Sequence, residues 1–166
     1  LAALLPLAAA LPAEHAQAVC SGVKIKALQP LDFGFVRMPK NAAGWVLVLP
    51  NGGYAFSPGI AFSNRLPRPG LVRLTAPPQS TVLLSLSPGN PRAAGPLRLL
   101  SVKPEQQQTP LVSRGDLWEV HTPPSDEGSV TVMLAIGGEL QVISTDKFWD
   151  VSFGLNMECV GVEKDH

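Results

Sequence analysis

Charge is scarce in this chain. Only 16% of its 166 residues are Asp, Glu, Lys or Arg, and 13 bases balance 13 acids. Without a basic surplus or a basic run, nothing neutralises a phosphate backbone, which argues against a nucleic-acid binder. No apolar run reaches the roughly 20 residues that a membrane-spanning helix needs, so no membrane span is expected in the mature form. Aromatics are only 6%. Trp45, Trp118 and Trp149 read as core or interface packing before they read as a sugar-stacking platform.

Chemical groups are scarce as well. The three histidines are His15, His121 and His166. Only His121 falls inside the patterned part of the chain, just after an apolar run and before Thr122-Pro123-Pro124, as in a loop. Ser125-Asp126-Glu127 lies near it, but a hydrolase nucleophile sits on a sharp turn, and no Gly-x-Ser-x-Gly occurs. Asp126-Glu127-Gly128 reads more simply as a hairpin turn. Asp146 and Asp150 flank Lys147-Phe148-Trp149, without the spacing of a calcium loop. Gly137-Gly138 lacks the Lys and Ser/Thr of a phosphate loop and reads as a kink or bulge between two strands. Two distant cysteines do not make a metal centre. The expectation is a protein that is not an enzyme and carries no cofactor and no metal.

What is abundant is proline and glycine, at 17 and 15 residues. Proline spread along the whole length opposes a helical bundle. The 45% hydrophobic content opposes disorder. The length suits one domain with or without a processed segment.

The first segment, LAALLPLAAAL, is uncharged and is followed by a polar stretch and Ala16-Gln17-Ala18. This is the pattern of a secretory signal with cleavage after Ala18. The alternative is a retained extended strand carrying Leu1, Ala3, Leu5, Leu7, Ala9 and Leu11 on one face, suited to a partner's open sheet edge. In an exported chain Cys20 and Cys159 most simply form one disulfide. Two free thiols, or a lipidated Cys20, are the alternatives. Gln17-Ala18-Val19 is a poor lipoprotein box.

From Val19 onward, apolar runs alternate with turn residues. Val23, Ile25 and Ala27 alternate with lysines. Leu31, Phe33 and Phe35 follow. Trp45 to Leu49 is apolar on both faces, as in a central strand, and ends at Pro50-Asn51-Gly52-Gly53, a hairpin signal before Tyr54 to Phe56. Further strands read at 70–76, 81–86, 97–102, 117–120, 129–136 and 139–143. Val151, Phe153, Leu155, Met157 and Cys159 then alternate with Ser152, Gly154, Asn156 and Glu158, the clearest period-2 match. Residues after Cys159 read as a frayed tail. Eight to ten short strands predict an all-β protein, an antiparallel β-sandwich. The divisions are 1–18 as signal or donor segment, 19–160 as the sandwich and 161–166 as a tail.

The order of these elements resembles a family of exported bacterial pilin-like proteins, the domain of unknown function numbered 4402, loosely related to spore-coat-U and chaperone–usher fimbrial subunits. The resemblance rests on Leu31-Asp32-Phe33-Gly34, on Gly44-Trp45-Val46-Leu47-Val48, on the turn Asn51-Gly52-Gly53, on Ile136-Gly137-Gly138-Glu139-Leu140 and on the closing alternating strand. Asp146-Lys147-Phe148-Trp149 and Cys159 stand where the family has a Pro-Gly-x-Tyr start and a Tyr end. The resemblance implies an immunoglobulin-like sandwich. It also implies a secreted structural subunit of a surface fibre, assembling with itself or other subunits by strand complementation, with a periplasmic chaperone as a further partner. Its locations are the periplasm in transit, then the cell surface or exterior. The alternative function is a monomeric exported binding module for a glycan or an envelope protein, using loops 88–96 and 103–115.

Overall fold

The computed structural model describes residues 20–38, 42–88, 97–104, 113–143 and 147–164. Among them every regular element is a strand. In chain order these are β1 (Lys24–Gln29), β2 (Leu31–Arg37), β3 (Ala43–Val48), β4 (Tyr54–Phe56), β5 (Ala61–Phe62), β6 (Gly70–Ala76) and β7 (Ser80–Pro88). Then come β8 (Leu97–Pro104), β9 (Ser113–Arg114), β10 (Leu117–His121), β11 (Val130–Ile143), β12 (Trp149–Phe153) and β13 (Leu155–Lys164). All pairings are antiparallel, and the fold is the expected β-sandwich. One sheet runs β1-β6-β11-β3-β4, with β8 also on β11; a second runs β13-β7-β10-β9; a third runs β12-β2-β5.

Alternation explains the layers. Along β6, Val72, Leu74 and Ala76 point inward while Arg73 points to water. They meet Leu31, Phe33 and Val36 of β2, Val82 and Leu84 of β7, and Val151 and Phe153 of β12. The Phe33 and Phe153 rings pack edge to face at 5.7 Å. Burying side chains of this size contributes roughly 2–3 kcal/mol each.

β11 organises the first sheet. The sequence reads two strands here, separated by Gly137-Gly138; the structure has one, continuous through both glycines. β6 pairs with Val130–Ile136 and β3 with Gly138–Ile143, while β8 spans Leu134–Leu140. Since β8 overlaps both partners, β6 and β3 lie end to end on the opposite edge of β11. The register against β8 slips between Gly137 and Gly138. A Cβ on Gly137 would stand 2.5 Å from the Val48 carbonyl oxygen and 2.8 Å from Pro50 Cδ. The glycine is therefore required by close approach of backbone, not by a break in the strand. Gly137→Ala is expected to cost about 2 kcal/mol in urea denaturation. Gly128→Ala is the control and should cost far less, because nothing lies within 4 Å of its Cβ position.

Four other readings are corrected. The closing alternation belongs to two strands, not one. Gly154 ends β12, which pairs with β2, and β13 crosses to β7 in another sheet. The tail at 161–166 is also shorter than read, because β13 continues to Lys164 with Gly161 buried. Its inward position there is a glycine with no apolar side chain to reveal it. β3 is an inner strand, between β11 and β4, but it is not buried on both faces: Trp45 is 40% exposed. Asp126-Glu127-Gly128 does not close a hairpin, since β10 pairs with β7 and β9 and the chain crosses to another sheet at β11.

Candidate functional site

β1 closes one side of the first sheet and β13 one side of the second. Among the described residues β1 pairs with β6 alone and β13 with β7 alone. Two free strand edges therefore face each other across a cleft of about 200 Å³. Ile25 and Ala27 of β1, Val72 of β6 and Leu155 and Met157 of β13 line it, with Asn156 and Glu158 also contributing. Leu155, Met157 and Val72 are buried at its base, whereas Ala27 is exposed and Ile25 only half-buried. Ligand pockets commonly hold 300–1,000 Å³. This volume is small for a cofactor or drug-sized molecule and suits a short row of side chains.

The Cys20–Cys159 disulfide stands at one end of the cleft and joins residues 139 apart in sequence. The two Cα atoms are 6.1 Å apart. A strand fits hydrogen-bonded between two others only where these stand about 9.5 Å apart, twice the interstrand spacing. The bridge thus shuts this end, and residues within β1 and β13 also come within 8 Å of each other, so a strand pairs with both edges only if they part. The bridge also ties β1 to its own neighbour, so β1 is a wall of the cleft and is badly placed to leave for another molecule.

The four core residues read from the closing alternation divide between two roles. Val151 and Phe153 are buried against β2, while Leu155 and Met157 also floor the cleft. Leu1, Ala3, Leu5, Leu7, Ala9 and Leu11 lie outside the described residues, as do Asp146, His166 and most of loops 88–96 and 103–115. Trp45, Trp118 and Trp149 sit in three different sheets, on β3, β10 and β12. No ring contact joins them among the described residues. Trp118 packs against the core. His121 is exposed at the end of β10, with Nδ1 2.9 Å from Thr81 Oγ1. No group of three metal-ligating side chains occurs among the described residues.

The sequence gives no warning of a buried charge cluster. Asp32 alternates with Leu31 and Phe33 as if facing water, yet it is buried. Its Oδ1 accepts the Gly34 N–H at 2.8 Å. Its Oδ2 lies 3.3 Å from Arg68 Nη2 and 2.9 Å from Arg65 Nε. The Nε–H is not aimed at the oxygen, so that contact is ionic and not a hydrogen bond. Arg65 also donates to both carboxylate oxygens of Asp150. Main-chain bonds between Asp32 and Arg68 complete the attachment. Gly34 has φ +88°, and a Cβ there would stand 2.7 Å from the Arg65 carbonyl oxygen. This cluster straps the segment before β6 onto β2. Its acceptors are occupied by the chain itself, and it offers no place for a substrate.

No protein-family model, curated protein or solved structure matches this chain. No helix among the described residues is long and apolar enough to cross a membrane.

Proposed function

We propose that the protein is a secreted structural subunit of a bacterial surface fibre, in which a strand from another subunit fills the β1–β13 cleft. One observation carries this reading: two strand edges, unpaired among the described residues, flank a cleft to which Ile25, Ala27, Leu155 and Met157 contribute, which is the arrangement that strand addition completes. As β1 and β13 part, the inserted strand would gain main-chain hydrogen bonds from their edges and set alternate apolar side chains against Ile25, Ala27, Leu155 and Met157. A disulfide and a signal-like leader agree with export through an oxidising compartment. The immunoglobulin-like arrangement, the periplasmic chaperone and the homopolymeric or mixed composition of the fibre belong to the same proposal.

Negative-stain microscopy of the purified chain, with and without residues 1–18, tests it. Filaments are expected from the form that keeps a donor segment. Ala27→Asp should abolish them without unfolding the protein, because Ala27 is an exposed wall residue. Lys26→Asp, alternating to the other face of β1, should leave them intact. Monomers in every form and at every concentration would overturn the proposal.

A further inference from the structure

A second adhesive edge lies on β4, away from the cleft. Tyr54 is 39% exposed and Phe56 44% exposed. Their rings are near-parallel at 6.3 Å, and Phe62 of β5 meets both edge-on. Among the described residues β4 pairs with β3 alone. Leu49 N–H donates to Gly53 and Ser57 N–H to Trp45, so Gly53 and Ser57 take hydrogen-bonded places against β3. Alternation gives Ala55 the same place and turns the backbone N–H and C=O of Tyr54 and Phe56 outward.

Natural edge strands are commonly blunted by lysine, inward charge or proline. β4 has none of these. The chain carries no Asp, Glu, Lys or Arg from Asn41 to Asn64. Two copies of this edge meet without like-charge repulsion, and an acidic or basic partner would find nothing to pair with.

We infer that β4 is a homotypic interface, at which β4 of a second copy of this chain pairs antiparallel about a two-fold axis through Ala55. In that register Tyr54 faces Phe56 of the second copy and each pair exchanges two hydrogen bonds, which symmetry repeats. The rings form one cross-strand aromatic row on the joined sheet. Ala55 then faces its own copy in the close, non-hydrogen-bonded position, with Cα atoms about 4.5 Å apart, within disulfide reach.

The test is sedimentation of the full chain carrying Ala27→Asp, so that filling of the cleft cannot contribute. A dimer is expected at about 100 µM, a concentration that populates even a modest self-association. Phe56→Lys should return it to monomer with unchanged circular dichroism. Without reductant, Ala55→Cys should form a covalent dimer at least about tenfold faster than Asp126→Cys, because the interface sets a high effective concentration. The linking comparison decides even if Phe56→Lys fails to fold. A monomer at that concentration, or Ala55→Cys linking no faster than the control, would overturn the inference and leave the rings to a different occupant.

Discussion

Replacing both cysteines with serine should remove about 3–5 kcal/mol of stability in urea denaturation. For a domain of ordinary stability, 5–15 kcal/mol, that is a large fraction of the whole. The bridge joins residues 139 apart, so most of the chain is one closed loop and the unfolded state is strongly restricted. The native state is affected unevenly. Among the described residues β1 is bonded on one edge only, and its Ala27 and Leu28 are exposed. Without the covalent tie, β1 amides should lose hydrogen-exchange protection before those of β6 and β11. Equal loss across the sheets would show that the bridge acts on the unfolded chain alone and does not hold the cleft wall. The preferential loss matters for function, since a wall that peels away no longer offers two edges to an incoming strand.

Much of this architecture is readable from the chain because its rules are local. Period-2 patterning exposes β2, β6, β12 and β13, and Asn51-Gly52 exposes the β3–β4 turn. What stays hidden depends on distant partners. Nothing in Val151 to Met157 tells that Gly154 hands the chain from one sheet to another, because inward alternation continues through it. The bulge at Gly137-Gly138 is legible, but nothing around it tells that the strand runs on through it rather than ending there; pairing with distant β3, β6 and β8 decides. β5 and β9, with two residues each, are too short for any periodicity. The cleft was half visible. Leu155 and Met157 announce themselves as inward residues, but their second role follows from β13 pairing, among the described residues, with β7 alone. Asp32 is the plainest failure of alternation: its burial depends on Arg65 and Arg68, far along the chain, and only the Asp-x-Gly spacing hints at it.

Asp32→Ala should cost about 3 kcal/mol, the lower end for breaking a buried ion pair, because Arg65 is partly solvated. The substitution orphans the Gly34 N–H and leaves two guanidinium groups without their shared carboxylate. Asp32→Asn should cost about 1 kcal/mol less, since its amide oxygen still accepts from Gly34. Asp150 separates the exposed part of the cluster from the buried part. The hydrogen bond from Arg65 holds the Asp150 carboxyl below its usual range, with partial burial opposing and the charge of Arg65 adding to it. The same bond raises Arg65. A carboxylate whose folded value is depressed stabilises above its unfolded value, about 3.9, and loses that contribution as pH falls through the lower folded value. Wild type should therefore exceed Asp150→Asn by under about 1 kcal/mol at neutral pH, as a water-exposed pair does. The two should converge once the pH falls below the lowered folded value of Asp150. Arg65 faces both carboxylates, so the two sites should not be additive. In the double-mutant cycle of Asp32→Asn with Asp150→Asn, a coupling of at least about 0.5 kcal/mol is expected at neutral pH. Strict additivity there would mean that Arg65 serves Asp32 and Asp150 independently, and that the strap before β6 is held by its main-chain bonds to Asp32 instead.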